Sequence, residues 1–352
     1  MTGSLTLRQS LRHPASRGHA AKWVLACLTL AFAATAVLSI SMGAVPIALG
    51  EVLASLSGHG STRDDLIVWA IRLPRTALAA SVGAALALSG TLMQGLFRNP
   101  LADPGLTGVS AGAALAAVTV IVAGQQVFGT VAMAWLPLAA FLGGLAVTLT
   151  LYATATQGGR TSVTTMLLAG IALGAISGAA TGLLIFMASD QQLREFTFWT
   201  LGSLAGATWQ KVALLAAAVT LSFPVWTRLA RGLDQLALGE AQAAFAGLSV
   251  ERLKRVAIVI TALLTGVSVA VSGMIGFVGL VVPHVLRLCF GPSHGLLLPA
   301  AALLGAILLI LADTLARTVA APTELPIGII TACLGGPVFL WMLLRDRRLQ
   351  RG

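Results

Sequence analysis

Apolar residues run through this chain in long blocks, and charged residues fall between the blocks. The 56 residues between Asp103 and Arg160 hold no charged side chain and no histidine. Other charge-free runs are Thr76–Phe97, Thr161–Ser189, Val256–Leu286, Leu288–Ala312 and Leu325–Leu344, with a shorter one at Val212–Thr227. A helix needs roughly 20 apolar residues to cross about 30 Å of hydrocarbon, so the longest block is long enough for two crossings. Divided at Gly, Pro and polar punctuation, the pattern predicts ten helices, at about 23–42, 76–96, 106–124, 131–154, 164–187, 210–230, 254–272, 275–290, 296–316 and 326–344. The eighth is short, contains Pro283, and follows the seventh after a break at Gly273 and Gly276.

Composition agrees with this pattern. The chain is 57% hydrophobic and 10% charged, with a mean hydropathy of +0.92, whereas soluble domains carry about 25% charged residues. The expected fold is an all-α polytopic membrane protein. A net charge of +10 would point to nucleic acid in a soluble protein. Here the charge reads as positive-inside asymmetry instead. With ten helices, sixteen of the 22 Lys and Arg residues fall on the side of the termini and six on the other, which places both termini in the cytoplasm. Arg8, Arg12, Arg17 and Lys22 form a basic lead-in, and the apolar run after them, 23–50, is too long for a cleavable signal. The expected organisation is a cytoplasmic tail at 1–22, a membrane domain at 23–344 and a basic cytoplasmic tail at 345–352. Cys27, Cys289 and Cys333 lie in apolar stretches without a CxxC spacing. They are expected to be buried small hydrophobes, with no disulfide and no metal.

Few residues stand out from the apolar background. Gly170, Gly174, Gly178 and Gly182 recur every fourth residue on the fifth helix, giving one smooth face for helix packing, for a pathway or for a partner subunit. Arg72 and Arg75 start the second helix at its outer end, and Arg317 ends the ninth, one turn after Asp313. Such arginines snorkel to headgroups, pair locally, or form a cationic rim for acidic side chains of a soluble partner. The longest inner loop, 231–253, is amphipathic with short helical pieces around Gly239 and Gly247. It is either structural or the handle for a cytoplasmic motor. The motor itself is not encoded here. A P-loop needs Lys before Ser or Thr, and Lys22, Lys211 and Lys254 precede Trp23, Val212 and Arg255. The outer loop 192–209, with Phe196, Phe198, Trp199 and Trp209, fits an interfacial helix. His284 reads as a locally bonded histidine rather than a ligand. Ion-coupled transport would need an acid deep in the membrane, and only Asp313 comes near. No His, Cys, Asp or Glu cluster within the apolar spans supports an enzyme.

The motifs together resemble the FecCD-type permeases that import iron chelates, haem and vitamin B12. They are Arg-Leu-Pro-Arg at 72–75, Ser-Gly-Thr-Leu-Met-Gln at 89–94, Arg-Asn-Pro-Leu-Ala-Asp-Pro-Gly at 98–105, Ala-Leu-Gly-Glu at 237–240, Gly-Phe-Val-Gly-Leu-Val-Val-Pro-His at 276–284, Ala-Asp-Thr-Leu-Ala-Arg at 312–317 and Glu-Leu-Pro-Ile-Gly at 324–328. The resemblance implies a ten-helix subunit of the bacterial inner membrane, a homodimer with the pathway on its two-fold axis, two copies of a separate ABC ATPase that binds ATP and magnesium, and a periplasmic substrate-binding protein. It implies no cofactor on this chain. Arg72, Arg75 and Arg317 match the rim that receives glutamates of the binding protein. Leu238, Gly239, Glu240 and Gly247 match the loop that couples to the ATPase. Asn99 and Leu101, with Ser162 and Thr164, match loops that narrow the inner end of the pathway, although Ser162 equally suits a helix cap. The stretches 193–209 and 169–182 look most like the haem branch, so haem is the expected substrate, ahead of a ferric siderophore or cobalamin.

Overall fold

The computed structural model describes residues 14–43 and 45–349, so Arg8, Arg12 and Arg351 of the expected tails lie outside the described residues. The described residues form thirteen helices: α1 (Pro14–Ser41), α2 (Leu49–Leu56), α3 (Thr62–Phe97), α4 (Val109–Phe128), α5 (Leu136–Ala155), α6 (Val163–Phe186), α7 (Asp190–Leu201), α8 (Trp209–Leu236), α9 (Glu240–Phe245), α10 (Val250–Ser272), α11 (Val278–Phe290), α12 (His294–Ala316) and α13 (Ile327–Leu349). A small antiparallel hairpin, β1 (Thr156–Gln157) with β2 (Arg160–Thr161), joins α5 to α6. Eight helices are long and apolar enough to cross a membrane, and α11 and α13 supply two shorter apolar segments. All ten expected spans therefore have a helix.

The boundaries differ where charge interrupts a helix that continues. The second span begins at Thr62 rather than near 76, because an α-helical turn holding Arg63, Asp64 and Asp65 is joined to the rest of the helix by a π-helical stretch, Leu66–Arg72. At 36 residues α3 is about 54 Å long, well beyond the hydrocarbon thickness. The sixth span runs on to Leu236, since buried Leu229, Leu233 and Leu236 continue its apolar stripe past Arg231 and Asp234. The seventh starts at Val250. The loop expected at 231–253 is thus a shorter connection, 237–249, with α9 inside it. The last helix runs to Leu349, so most of the expected tail at 345–352 continues it. Cys27, Cys289 and Cys333 are free and exposed, not buried as expected. A helix that faces lipid or a partner is apolar on its outside too, so hydrophobicity alone does not mark the inside.

The core is built around α3, which is buried almost continuously from Leu78 to Leu96 and packs against α8, α10, α11 and α12. Two crossings bring backbones into contact. A Cβ on Gly83 would lie 2.1 Å from the Gly305 carbonyl oxygen, and one on Gly90 would lie 1.7 Å from that of Gly279. Only glycine permits this approach. A second group forms where α4 packs on α5 and α6. Residues 273–277, between α10 and α11, are not helical. They pack against the end of α7, where Ser203 N–H donates to the Ser272 carbonyl at 2.8 Å. Irregular backbone at membrane depth requires that kind of protein cover.

Candidate docking and coupling sites

The end of α1 leaves carbonyls without helical partners, and two arginines from other helices fill that need. Arg72 donates to the Ser41 carbonyl at 3.0 Å and also to those of Ile40 and Val45. Arg317 donates to the Met42 carbonyl at 2.6 Å, to Ser39 Oγ at 2.8 Å and to the Ser39 carbonyl. Arg75 is an ion-pair centre. Its Nε sits 3.0 Å from both oxygens of Asp313, its Nη2 lies 2.9 Å from Asp313 Oδ1, and its Nη1 reaches Glu324 at 2.8 Å. Arg317 Nε approaches Asp313 at 3.4 Å. Arg72, Arg75, Arg317 and Asp313 are all buried, while the Glu324 side chain keeps 42% of its surface exposed. The three expected residues therefore do converge at one end of the helix bundle, around a cavity of about 200 Å³ lined also by Gly43, Val45, Pro322 and Glu324. They are not an open rim of free charge. Their guanidinium groups are engaged internally, and the exposed member of the network is an acid.

At the opposite end of the bundle Lys254 is the centre. Its side chain is 3% exposed, and its ammonium donates to Glu240 at 2.9 Å, to Glu251 at 3.1 Å and to the Thr161 carbonyl at 2.9 Å. Glu251 also accepts the Thr161 N–H at 2.8 Å. One lysine thus ties α9 to α10 and to the hairpin strand that feeds α6. Gly239 and Gly247 bracket α9 with φ of +114° and +85°, conformations that suit glycine. Leu238 and Phe245 are exposed on the surface of this connection.

Of the residues expected to narrow the pathway, Ser162 caps α6 by accepting the Thr165 N–H at 3.2 Å. Thr164 is exposed in the first turn. Asn99 accepts the Leu101 N–H at 2.9 Å in a side-chain turn just after Arg98 ends α3 in a left-handed conformation. A Cβ at Gly174, Gly178 or Gly182 would meet nothing within 4 Å, and Gly170 is half-buried on the same helix. From Gly174 to Gly182 the glycine face does not pack against a helix of its own subunit. Of the stretch 192–209, residues 192–201 lie in α7, whose start is capped by Ser189 and Gln192, while 202–208 are not helical and Trp209 opens α8. Sequence reasoning missed two partnerships. Glu324 with Arg75 spans 249 residues, and Asp234 with His294 Nδ1, at 2.7 Å, spans 60. No local spacing reveals either pair.

Comparison with known proteins gives a consistent set of relatives. The model of the FecCD transport family matches residues 30–345. The hemin transport system permease protein HmuU of Yersinia pestis is 45% identical over 316 residues, covering 89% of this chain and 93% of that protein. The vitamin B12 import system permease protein BtuC of Salmonella typhimurium is 44% identical over 329 residues, covering 93% and 96%. A solved structure described as an inward-facing conformation of a metal-chelate type ABC transporter superposes with a TM-score of 0.80 at 31% identity, over 92% of this chain and 99% of that one.

Proposed function

The chain belongs to the FecCD transport family, and from that premise we propose that it is the membrane pathway of an ATP-driven importer for haem in the bacterial inner membrane. It is a permease subunit. The observation that carries the substrate reading is the 45% identity to a hemin permease. A weakly binding apolar passage suits haem, which is flat, apolar and carries two propionates, and tight iron ligation would hinder its release. The 44% identity to a vitamin B12 permease over 93% of the chain favours cobalamin as the second reading.

A pathway between two copies is supported by α6, whose glycine face from Gly174 to Gly182 lacks a neighbour within its own subunit. Two ABC ATPase subunits would grip the 237–249 connection, with Leu238 and Phe245 seated on them. Glu240, Lys254 and Glu251 then carry the displacement to Thr161 and the start of α6, where Ser162, Thr164, Asn99 and Leu101 border the inner exit. A periplasmic binding protein would dock at the Arg72, Arg75 and Arg317 cluster. Its glutamates reach Arg75 only by exchanging with Glu324, so docking substitutes one ion pair for another rather than neutralising idle charge.

The test is ATP-dependent uptake into proteoliposomes that hold this chain with its ATPase, with the binding protein loaded in turn with haemin, cobalamin and a ferric siderophore. Haemin uptake alone is expected. Uptake of another ligand would overturn the substrate, and ATP-independent uptake driven by an ion gradient would overturn the importer mechanism.

A further inference from the structure

A groove of about 420 Å³ runs between α5 and α10. Phe141, Leu145 and Leu149 line it from one helix, and Ile258, Val259 and Leu263 from the other. Thr148 adds no free polar group, since its hydroxyl donates to the Gly144 carbonyl at 2.9 Å. From Phe141 to Tyr152 the groove follows α5 for about 16 Å at 1.5 Å per residue. That is half of a hydrocarbon core of about 30 Å, the depth of one leaflet.

Its polar end is at the inner side. Arg255 lies in the second turn of α10, exposed, with its Nε 3.3 Å from the Tyr152 hydroxyl. The nearest acid along the helix, Glu251, is engaged by Lys254 and Thr161. No described carboxylate lies within 4 Å of the Arg255 guanidinium. The groove is thus an apolar slot one leaflet deep that ends in an unneutralised fork of N–H donors beside a phenol. It is also separate from the glycine face of α6.

We propose that this groove is a specific site for an anionic phospholipid of the inner leaflet. One acyl chain lies between α5 and α10, and the phosphate accepts from Arg255 and Tyr152. Guanidinium groups recognise phosphate through paired, charge-assisted hydrogen bonds, and basic pockets between membrane helices on the cytoplasmic side select acidic headgroups. A zwitterionic lipid offers the same phosphate but adds an ammonium beside Arg255, so it binds less well.

Native mass spectrometry of the full-length chain, equilibrated with equal amounts of phosphatidylglycerol and phosphatidylcholine, tests this. The wild type should retain phosphatidylglycerol by roughly tenfold over phosphatidylcholine, the scale of one charge-assisted hydrogen bond. Arg255→Gln should bring the ratio close to one, while Arg255→Lys keeps a preference and guards against a folding defect. Leu149→Trp should fill the slot and lower retention of both lipids. Arg228→Gln, in a cation outside the groove, should match the wild type. Equal retention of the two lipids by the wild type, an unchanged ratio in Arg255→Gln, or full lipid retention in Leu149→Trp would each overturn the proposal.

Discussion

Replacing Lys254 by methionine removes one ammonium and leaves Glu240 and Glu251 facing its former place. The wild-type side chain is 3% exposed and makes three bonds of 2.9–3.1 Å. Removing one partner of a fully buried ion pair costs about 3–5 kcal/mol, and an exposed pair contributes about 0–1 kcal/mol. The two glutamates keep 43% and 31% of their side-chain surface, which places this network between the limits, at about 2 kcal/mol. That corresponds to roughly thirtyfold in the local opening of α9. Hydrogen exchange reads this directly. Amides of residues 240–246 should exchange about thirtyfold faster, and those of the buried stretch of α3 should not change. In proteoliposomes with the ATPase, hydrolysis should persist while substrate moved per ATP falls. A double-mutant cycle with Glu240→Gln should be non-additive. Wild-type exchange at 240–246, or an unchanged ratio of ATP to substrate, would refute Lys254 as the link between motor and pathway.

Other perturbations separate the remaining roles. Glu324→Gln removes the internal competitor on Arg75, so a binding protein should dock severalfold more tightly in surface plasmon resonance; equal or weaker docking refutes ion-pair exchange at this site. Gly90→Val drives a side chain into the Gly279 carbonyl, an overpacking cost of about 1–3 kcal/mol or more, and should lower the thermal midpoint and the yield of assembled protein. Ser162→Ala should cost about 1 kcal/mol through loss of the α6 cap, seen as faster exchange in its first turn, with uptake retained; abolished uptake at unchanged stability would instead make Ser162 part of the gate.

The ten spans were legible because charge-free runs and membrane thickness constrain each other. The first part of α3, 62–72, was not, because its charged residues look like a loop when read one at a time. The convergence of Arg72, Arg75 and Arg317 at one end followed from topology. Their burial did not, because it depends on the carbonyls at the end of α1, and a backbone acceptor leaves no mark in a sequence. Glu240 stood out in its motif, yet its partner Lys254 read only as one more inner cation. The ion pair forms because α9 folds back on the start of α10, a geometry set by Gly239 and Gly247.

The open face of α6 bears on how stability is measured. Only 6% of the residues in its membrane-spanning window are fully buried, because it packs on α4 and α5 along one side alone, so burial of its other side comes from outside the chain. In the proposed pairing of two copies, association enters the folding equilibrium by mass action. A melting temperature taken on dilute, solubilised chain reports detergent and concentration as much as sequence. A substitution at Gly178 would register as a change in the dilution series rather than in the melt of a single subunit.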